Sequence, residues 1–556
     1  MIGKFVEKIS SALPKLSNVQ KSALAFAKSA GLTSIAVTSL LIGARQIGML
    51  EPLELGAFDQ MVRSRPDEGS DSRLLVVGIT EGDIQRLKEW PISDRKIAQV
   101  LQKLEQQQPI AIGLDVLRDV PLGEGRPELI QYLQNTSRLI GVCKASDPTG
   151  DNPGSPPPPG LATHQVGFAD FGVDSGGVLR RALLFMTPPG VNNSYRSAEL
   201  HLCNDSSNIL FSFALQLSLR YLQTKQINPE LTPDQSLKLG STILRKLQKN
   251  DGGYKNIDDR GYQILINYRS ARNVAKLVTL TDVIEDKIDP KFVKDKIVLI
   301  GYTSDTVKDY FYTPYSGSKQ NDLAMPGVVA HAQVVSQILS AVLDKRPLFW
   351  FWSEWGEVLW LWGWSMVGGA IAWGIQQPLR FGLVGGGMLI VSLGLGFGIF
   401  MLGGWVPVAA PAIALIVSAG SVVLIDRFNK GGYGKVITDK VKQVFKLEID
   451  QTKKEQEVAE ITESDFFKEL QQKKSEWKGR KRESTSNDVP QPQELETTES
   501  QSEEYFTQLQ HKAKQQRVKI TQVSEESTSE VAIAEPTRNN NSLTETPGDE
   551  GFIDLS

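Results

Sequence analysis

Cysteine and histidine are scarce in this sequence. The chain has 556 residues but only two cysteines, Cys143 and Cys203, and four histidines. A zinc site needs three or four ligands, and only the stretch "HLC" (201–203) brings histidine and cysteine together. We therefore expect no metal site. The two cysteines could form a disulfide in an oxidising compartment, but the sequence does not decide whether they pair.

Motifs of nucleotide and acyl-transfer chemistry are missing as well. The chain contains no phosphate-binding loop of the form GxxxxGK[ST] and no GxSxG nucleophile turn, and residues 427–556, where an output module would follow, contain no kinase HRD or DFG sequence and no GG[DE][ED]F of a diguanylate cyclase. The net charge of −3 gives no reason to expect nucleic acid as a partner. We expect a protein that is not an enzyme and that holds no cofactor.

Long uncharged runs, by contrast, are concentrated in one region. Residues 356–375, 381–402 and 406–425 each hold about 20 mostly apolar residues, enough to cross roughly 30 Å of hydrocarbon. The Trp cluster "LFWFWSEW" (348–355) suits the membrane interface. Buried core helices are the alternative, but three adjacent runs with a single charge among them favour transmembrane helices.

A weaker fourth segment, residues 29–50, lies near the N-terminus and contains Arg45. We interpret it as an uncleaved membrane anchor, and a cleaved signal peptide is the alternative. The basic N-terminus (1–28) and the lysines that follow residue 426 should stay in the cytoplasm. This orientation makes residues 51–346 an extracytoplasmic domain and both termini cytoplasmic.

The outer segment predicts an α/β domain. Helical periodicity, for example at residues 95–106, alternates with short apolar strands, and this order favours a mixed, partly parallel sheet. The predicted strands are 74–79, 111–116, 138–143, 178–186, 262–268 and 296–301. Two further predicted helices cover 209–222 and 328–339.

Polar residues follow several of these strands. Asp115 ends the second strand, Thr80 follows the first, and Asp309, Tyr310 and Thr313 follow the last. Ligands of open α/β sheets bind at such strand ends. Capping of the next helix or turn is the alternative for each of these residues.

Several blocks in order resemble the CHASE2 domain, a bacterial extracytoplasmic sensory domain. They include "DQMVRSRP" (59–66), "GFADFGVDSGGVLRRALLF" (167–185), "ILINYRS" (264–270), "DTVKDYFYTPYS" (305–316) and "MPGVVAHAQVVSQIL" (325–339). The resemblance implies one membrane helix before the domain and three after it, usually followed by a kinase or cyclase output module. Thr80 departs from the family, which tends to carry Asp at that position.

The resemblance and the strand-end pattern together give a set of candidate ligand-binding residues. These are Asp115, Arg180, Arg181, Asp309, Tyr310, Thr313 and His331. Adjacent arginines in a strand should point to opposite faces, and an inward arginine would need a carboxylate such as Asp115 or Asp309. A structural role in holding the fold together is the alternative.

The cytoplasmic tail, residues 427–556, is charged, partly helix-prone and rich in Ser, Thr, Glu, Gln and Pro, so we expect it to be mostly disordered. The main hypothesis is a membrane-anchored sensor of a small-molecule or envelope ligand that signals through a separate cytoplasmic protein bound to the tail. A scaffold that reuses a sensory domain is the first alternative, and an enzyme of the outer domain is the second. Membrane lipid is an expected partner, and a homodimer is compatible with the sequence but not indicated by any residue.

Overall fold

The computed structural model describes residues 30–147, 152–189, 200–317 and 324–430. The basic N-terminus and the tail beyond residue 430, with the structure predicted for them, lie outside the described residues. The helices are α1 (Leu32–Gln46), α2 (Glu51–Ser64), α3 (Glu81–Leu87), α4 (Asp94–Gln106), α5 (Arg126–Asn135), α6 (Phe213–Gln223), α7 (Leu280–Ile284), α8 (Gly327–Leu343), α9 (Glu354–Gly374), α10 (Pro378–Met401) and α11 (Ala409–Lys430). The strands are β1 (Leu74–Ile79), β2 (Ala111–Asp115), β3 (Leu139–Cys143), β4 (Val166–Phe168), β5 (Arg181–Met186), β6 (Leu210–Phe211), β7 (Pro229–Leu231), β8 (Leu237–Leu239), β9 (Thr242–Leu244), β10 (Tyr262–Leu265), β11 (Lys276–Thr279), β12 (Ile297–Tyr302), β13 (Tyr310–Phe311) and β14 (Met325–Pro326).

A six-stranded sheet in the order β11-β1-β12-β2-β3-β4 forms the centre of the domain. Every pairing in this sheet is parallel. Of its six strands, β12 comes last in the sequence, and it lies between β1 and β2. Antiparallel pairing is confined to small separate sheets, such as β10-β5-β6. The prediction of an α/β fold with a partly parallel sheet is confirmed.

Helices cover both faces of the central sheet. On one face α4 packs against the strands through Ile97, Val100, Leu101 and Leu104, which are all fully buried, as their helical spacing predicted. On the other face α6 and α8 pack over Val76, Ala111 and Leu299. The strands are therefore buried on both sides, which is the usual environment of a parallel sheet.

The region predicted to span a membrane is helical. Among the described residues, α10 is long and apolar enough to cross a membrane, and only 17% of its apolar window is buried. Helices α1 and α2 would count as a second span if they are taken as one helix broken by a bend of 87°. Helix α9 covers the predicted span at 356–375, and α11 contains a shorter apolar stretch, Ala409–Ile425. Length and composition therefore support one of the four predicted spans directly.

The exposed surface of α10 is strongly apolar. Leu383 is 69% exposed, Ile390 72% and Leu379 77%. Contiguous apolar surface of this kind is rare on soluble monomers and marks an interaction or membrane surface. The exposure of α10 agrees with its length and composition, which would allow it to cross a membrane.

Cys143 and Cys203 form a disulfide, which settles the question that the sequence left open. Their Cα atoms lie 6.2 Å apart, within the normal range. Both residues are fully buried beside Phe168 and Leu210. The bond ties the carboxyl end of β3 to a turn 60 residues further along the chain.

Because the bond closes a loop of this length, chain entropy predicts that it stabilises the fold by about 4 kcal/mol. We expect the double variant Cys143→Ser/Cys203→Ser to unfold at correspondingly lower denaturant concentration, as followed by circular dichroism. Reducing agent should destabilise the wild-type chain similarly and leave the variant unchanged. Equal stability of both chains under oxidising conditions would contradict the pairing.

Candidate functional site

The carboxyl ends of β1 and β12, together with Leu277 of β11, border an open cleft of about 1010 Å3. Its lining includes Thr80 and Thr303, which follow β1 and β12 directly, and the β13–β14 ribbon. This is the location at which open α/β sheets bind ligands. The cleft, which is also lined by Arg272, Lys308, Tyr310 and Met325, is named the strand-end cleft below.

Helix capping explains some of the polar residues that follow the strands. Thr80 and Asp83 form a reciprocal capping box at the start of α3, as the structural alternative for these residues predicted. Glu81 accepts hydrogen bonds from Ser304 Oγ and Thr306 Oγ1, both at 2.6 Å. These contacts tie the loop after β1 to the loop after β12 and fix one wall of the cleft.

Three of the predicted residues lie together behind the cleft, and we name Asp115, Asp309 and His331 the acidic cluster. Asp115 ends β2 and lies 3.9 Å from His331 Nε2. The Asp309 carboxylate lies against Gly327 at the start of α8, where an added Cβ would be 2.5 Å from Oδ2. The side chains of Asp115 and His331 are only 8% and 3% exposed. The sequence singled out these three residues separately, and the fold brings them together from β2, the β12–β13 loop and α8.

Aromatic rings enclose His331. The ring of Phe171 stacks on the imidazole at a centroid distance of 4.3 Å, and Phe213 meets it edge-on at 5.1 Å. Phe311 packs in turn against Phe171 at 5.1 Å. His331 Nδ1 is buried and has no hydrogen-bond partner within the described residues. The imidazole thus lies in an apolar setting that disfavours a positive charge.

Burial sets the charges of the cluster. It raises the pKa of Asp115 well above its usual value, and the neighbouring Asp309 carboxylate raises it further. Burial also raises the pKa of Asp309, although the positive charge of Lys144 acts in the opposite direction. The pKa of His331 falls to about 3 because the ring is buried, despite a hydrogen bond to the backbone of Ala169. At neutral pH the imidazole is uncharged, and the two carboxyl groups resist ionising together.

In the part of the chain that the structure describes, no group of three or more His, Cys, Asp or Glu side chains is arranged to hold a metal ion. The acidic cluster, too, is not arranged to hold a metal ion. Its chemistry is that of a proton-binding carboxyl pair beside a neutral imidazole.

Tyr310 and Thr313 are not part of the cluster, although Tyr310 directly follows Asp309 in the chain. Tyr310 lines the strand-end cleft, and its pKa rises to about 12 through burial and through the neighbouring Asp305 carboxylate. Thr313 is buried in a turn in which its backbone N–H donates to Ser316 Oγ at 2.9 Å. The geometry of Thr313 is that of a turn residue.

The expected arrangement of Arg180 and Arg181 is wrong in two respects. Both side chains are buried instead of alternating, at 5% and 7% exposure. Their partners are not Asp115 or Asp309. Arg180 forms a two-pronged ion pair with Asp59 on α2, at 2.7 Å for both contacts, and the two arginines share the carboxylate of Asp174. Both side chains can be buried because that carboxylate offers one oxygen to each guanidinium group.

The arginine network leads to the helices that follow the α/β domain. Tyr254 donates a hydrogen bond to Asp174 at 2.9 Å, and its ring packs edge-on against Trp405, which is fully buried. Trp405 lies in the turn between α10 and α11 and also contacts the ring of Phe58 at 4.7 Å. The network therefore braces the place where the α/β domain meets these helices.

Glu54 makes a second connection at the same place. Its carboxylate accepts backbone hydrogen bonds from Val408 at 2.9 Å and Ala410 at 2.8 Å, at the start of α11. The linker after α8 also pairs with the turn, because Trp405 N donates to the Trp350 carbonyl at 2.9 Å. We name Glu54, Phe58, Tyr254, Trp350 and Trp405 the joint.

The joint could hardly be predicted from the sequence. Glu54 lies outside the blocks that resemble the family, and the blocks that contain Asp59 and Asp174 do not indicate their partners, which are distant along the chain. Trp405 was visible only as the one aromatic residue in an uncharged turn, "GGW" (403–405). An aromatic residue in such a turn is a usable signal, because a turn exposed to water gains nothing from a large apolar ring.

The acidic cluster predicts a distinctive pH dependence. The folded pKa of Asp115 lies above its usual value of 3.8. Its contribution to stability is therefore complete below that value and is lost as pH rises through the folded pKa. The side chain of Asp115→Asn cannot ionise. Between pH 3.8 and the folded pKa, the free energy of unfolding of this variant should therefore rise relative to that of wild type by up to about 1.4 kcal/mol per pH unit.

Thermal unfolding midpoints measured between about pH 5 and pH 8 test this expectation. Asp295→Asn, which changes an exposed carboxylate on a loop, is the matched control and should track wild type. A constant difference between Asp115→Asn and wild type across the range would show that Asp115 does not titrate in it.

Comparison with known proteins agrees with this architecture. The family model of the CHASE2 domain matches residues 36–370, more than half of the chain. The match begins inside α1 and ends inside α9, so it includes the whole α/β domain. No curated protein and no solved structure matches the chain. The resemblance read from the sequence is confirmed, and the chain belongs to the CHASE2 domain family of extracytoplasmic sensory domains.

Proposed function

We propose that this protein is a membrane-anchored extracytoplasmic sensor that has no catalytic output module of its own and signals through a separate cytoplasmic partner. The sensory character of the CHASE2 family supports the first part. The observation that carries the proposal is the joint, because it connects the ligand-facing domain to the membrane helices by specific buried contacts.

Helix α8 supplies the path from the site to the joint. His331 lies near its start and Arg346 just beyond its end, so the two residues are roughly 22 Å apart along the helix axis. Buried glutamines on α8 hold the neighbouring segment: Gln337 accepts from Asn267 N and Gln333 accepts from Arg269 N, both at 2.9 Å. A helix fixed in this way moves as a unit when its first turn is displaced.

The chain beyond α8 is held equally firmly. Arg346 donates to the carbonyl of Asn267 at 2.7 Å and pairs with Glu68. The carbonyl of Pro347 accepts from Asn267 Nδ2 at 2.8 Å. Trp350 follows and pairs with the α10–α11 turn. A change at the acidic cluster therefore has a continuous packed route to α11. Such a route transmits a signal only if ligand binding favours one of two arrangements.

Contacts at the helix ends support the proposed membrane topology. Arg45 near the end of α1 donates to the carbonyl of Gly252 at 2.7 Å and pairs with Glu357 in the first turn of α9. Phe400 at the end of α10 packs on Phe58 at 5.5 Å. The ends of α1 and α10 and the start of α11 thus contact the outer domain, and α9 is tied to α1 beside them, which supports four spans, cytoplasmic termini and an outer domain. A disulfide in that domain agrees with an oxidising compartment outside the bacterial cytoplasm.

Reporter fusions test this topology. Alkaline phosphatase joined after residue 346 or 404 should be active, because both positions lie outside. Fusions after residue 376 or 430 should be inactive, and the same positions fused to green fluorescent protein should show the reverse pattern. Phosphatase activity after residue 430 would contradict a cytoplasmic tail.

The signalling partner is proposed to bind the tail. The matched experiment is a cross-linked pull-down from native membranes of the full chain beside a chain truncated after Lys435. The truncated chain keeps every helix that the structure describes, so a lost partner is lost because of the tail. We expect a kinase, cyclase or regulator that depends on the tail.

A large membrane complex that survives truncation would instead indicate a scaffold and would contradict the sensor proposal. Equal membrane insertion of both chains, measured by carbonate extraction, is the control. The same cross-links report whether the chain forms a homodimer.

A further inference from the structure

The strand-end cleft carries an imbalance of charge that the fold does not require. Arg272 and Lys308 line it, and both residues are exposed. Neither side chain forms an ion pair within the described residues. Most other basic side chains around the central sheet are paired, for example Arg86 with Glu285 and Lys103 with Asp286. Two uncompensated cations at one opening favour the approach of an anion.

The single carboxylate in the lining does not cancel them. Asp305 lies beside Tyr310 and is hydrogen-bonded to its phenol group. This contact fixes the rim formed by β13. The carboxylate keeps its negative charge, but Arg272 and Lys308 outnumber it, so the charge that the lining offers to a ligand is positive.

The rest of the lining suits an organic ligand better than a bare inorganic ion. Leu277, Met325 and Val329 provide apolar surface, and Tyr312 adds an aromatic ring that is 47% exposed. Thr303 Oγ1 is buried in the lining and has no hydrogen-bond partner within the described residues. A cleft of about 1010 Å3 that combines apolar walls with a few polar groups has the size and character of a small-molecule site.

We propose that the strand-end cleft binds a small organic anion, a carboxylate or phosphate ester with an apolar or aromatic part. The inference rests on the proposed sensory function and names the ligand class of the same site. Arg272 and Lys308 hold the anionic group, and the apolar wall holds the remainder.

The acidic cluster is the competing site for a charged ligand, and it would select a cation. Its side chains are 8% and 3% exposed for Asp115 and His331, so a solvated cation has no open path to them. The cleft is open, and it meets the cluster through neighbouring residues, since Lys308 and Tyr310 flank Asp309. Anion binding at the rim would thereby act on the loop that carries Asp309.

Ligand-observed saturation-transfer NMR of the full chain in phosphatidylcholine nanodiscs tests the proposal. The probes are benzoate, phenyl phosphate and benzylammonium, which share the aromatic ring and differ in the charged group. We expect one or both anions to bind and benzylammonium not to bind. Arg272→Gln/Lys308→Gln should weaken anion binding roughly fivefold or more. The matched control, Lys225→Gln/Lys294→Gln, removes the same charge from two exposed positions outside the cleft and should bind like wild type.

Each outcome decides the question. Preference for benzoate or for phenyl phosphate assigns the anionic group. Binding of benzylammonium alone, anion binding that is equal in the cleft variant and the control, or no binding of either anion would overturn the anion site. None of these results bears on the tail-dependent partner. A failed anion test with a tail-dependent partner still present would leave the sensor proposal standing and remove only the ligand class.

Discussion

The carboxylate of Asp174 is the contact on which the domain's attachment to its helices depends. It receives Arg180, Arg181 and Tyr254 at once, and Arg180 carries the connection on to Asp59 of α2. All of these groups are largely buried, so the loss of the central carboxylate would take an ion-pair partner from both guanidinium groups and leave Arg180 with Asp59 and Arg181 with Gln263 and the carbonyl of Asp258. Breaking a buried pair in this way costs about 3 to 5 kcal/mol. Trp405 packs against the tyrosine that this network holds, and the α10–α11 turn is positioned through it.

The acidic cluster is a different use of buried charge. Asp174 is fully compensated and fixes geometry, whereas Asp115 and Asp309 form no ion pair with a lysine or arginine among the described residues, and the positive charge of Lys144 only partly offsets the effect of burial on Asp309. A pair of this kind is tolerated because it can hold a proton, and its charge then follows its surroundings. The first group suits a structural role and the second a responsive role, and His331 of α8 belongs to the second.

Local features could be predicted from the sequence. Strand β1 occupies the predicted residues 74–79, and α4 buries the predicted face, because both depend on periodicity within a short window. The acidic cluster could also be predicted in part, since strand ends of a parallel sheet share one edge. Pairing across long distances could not be predicted. Arg180 meets Asp59 across 121 residues and Glu54 meets Val408 across 354, and no local pattern encodes such a choice.

The contact between Glu54 and the first turn of α11 also bears on how such a protein can be divided. A helix begins with backbone N–H groups that need acceptors, and here a residue of the outer domain supplies them from far away in the chain. The family match ends at residue 370, before the turn that carries Trp405. A chimaera cut at that boundary would leave Glu54 without the backbone N–H groups of Val408 and Ala410, and it would separate Trp405 from the rings of Phe58 and Tyr254. This would happen even if every strand of the sensory domain were kept. The unit that can be exchanged intact between proteins therefore runs from α1 through α11, and a foreign output module is best joined after the last helix.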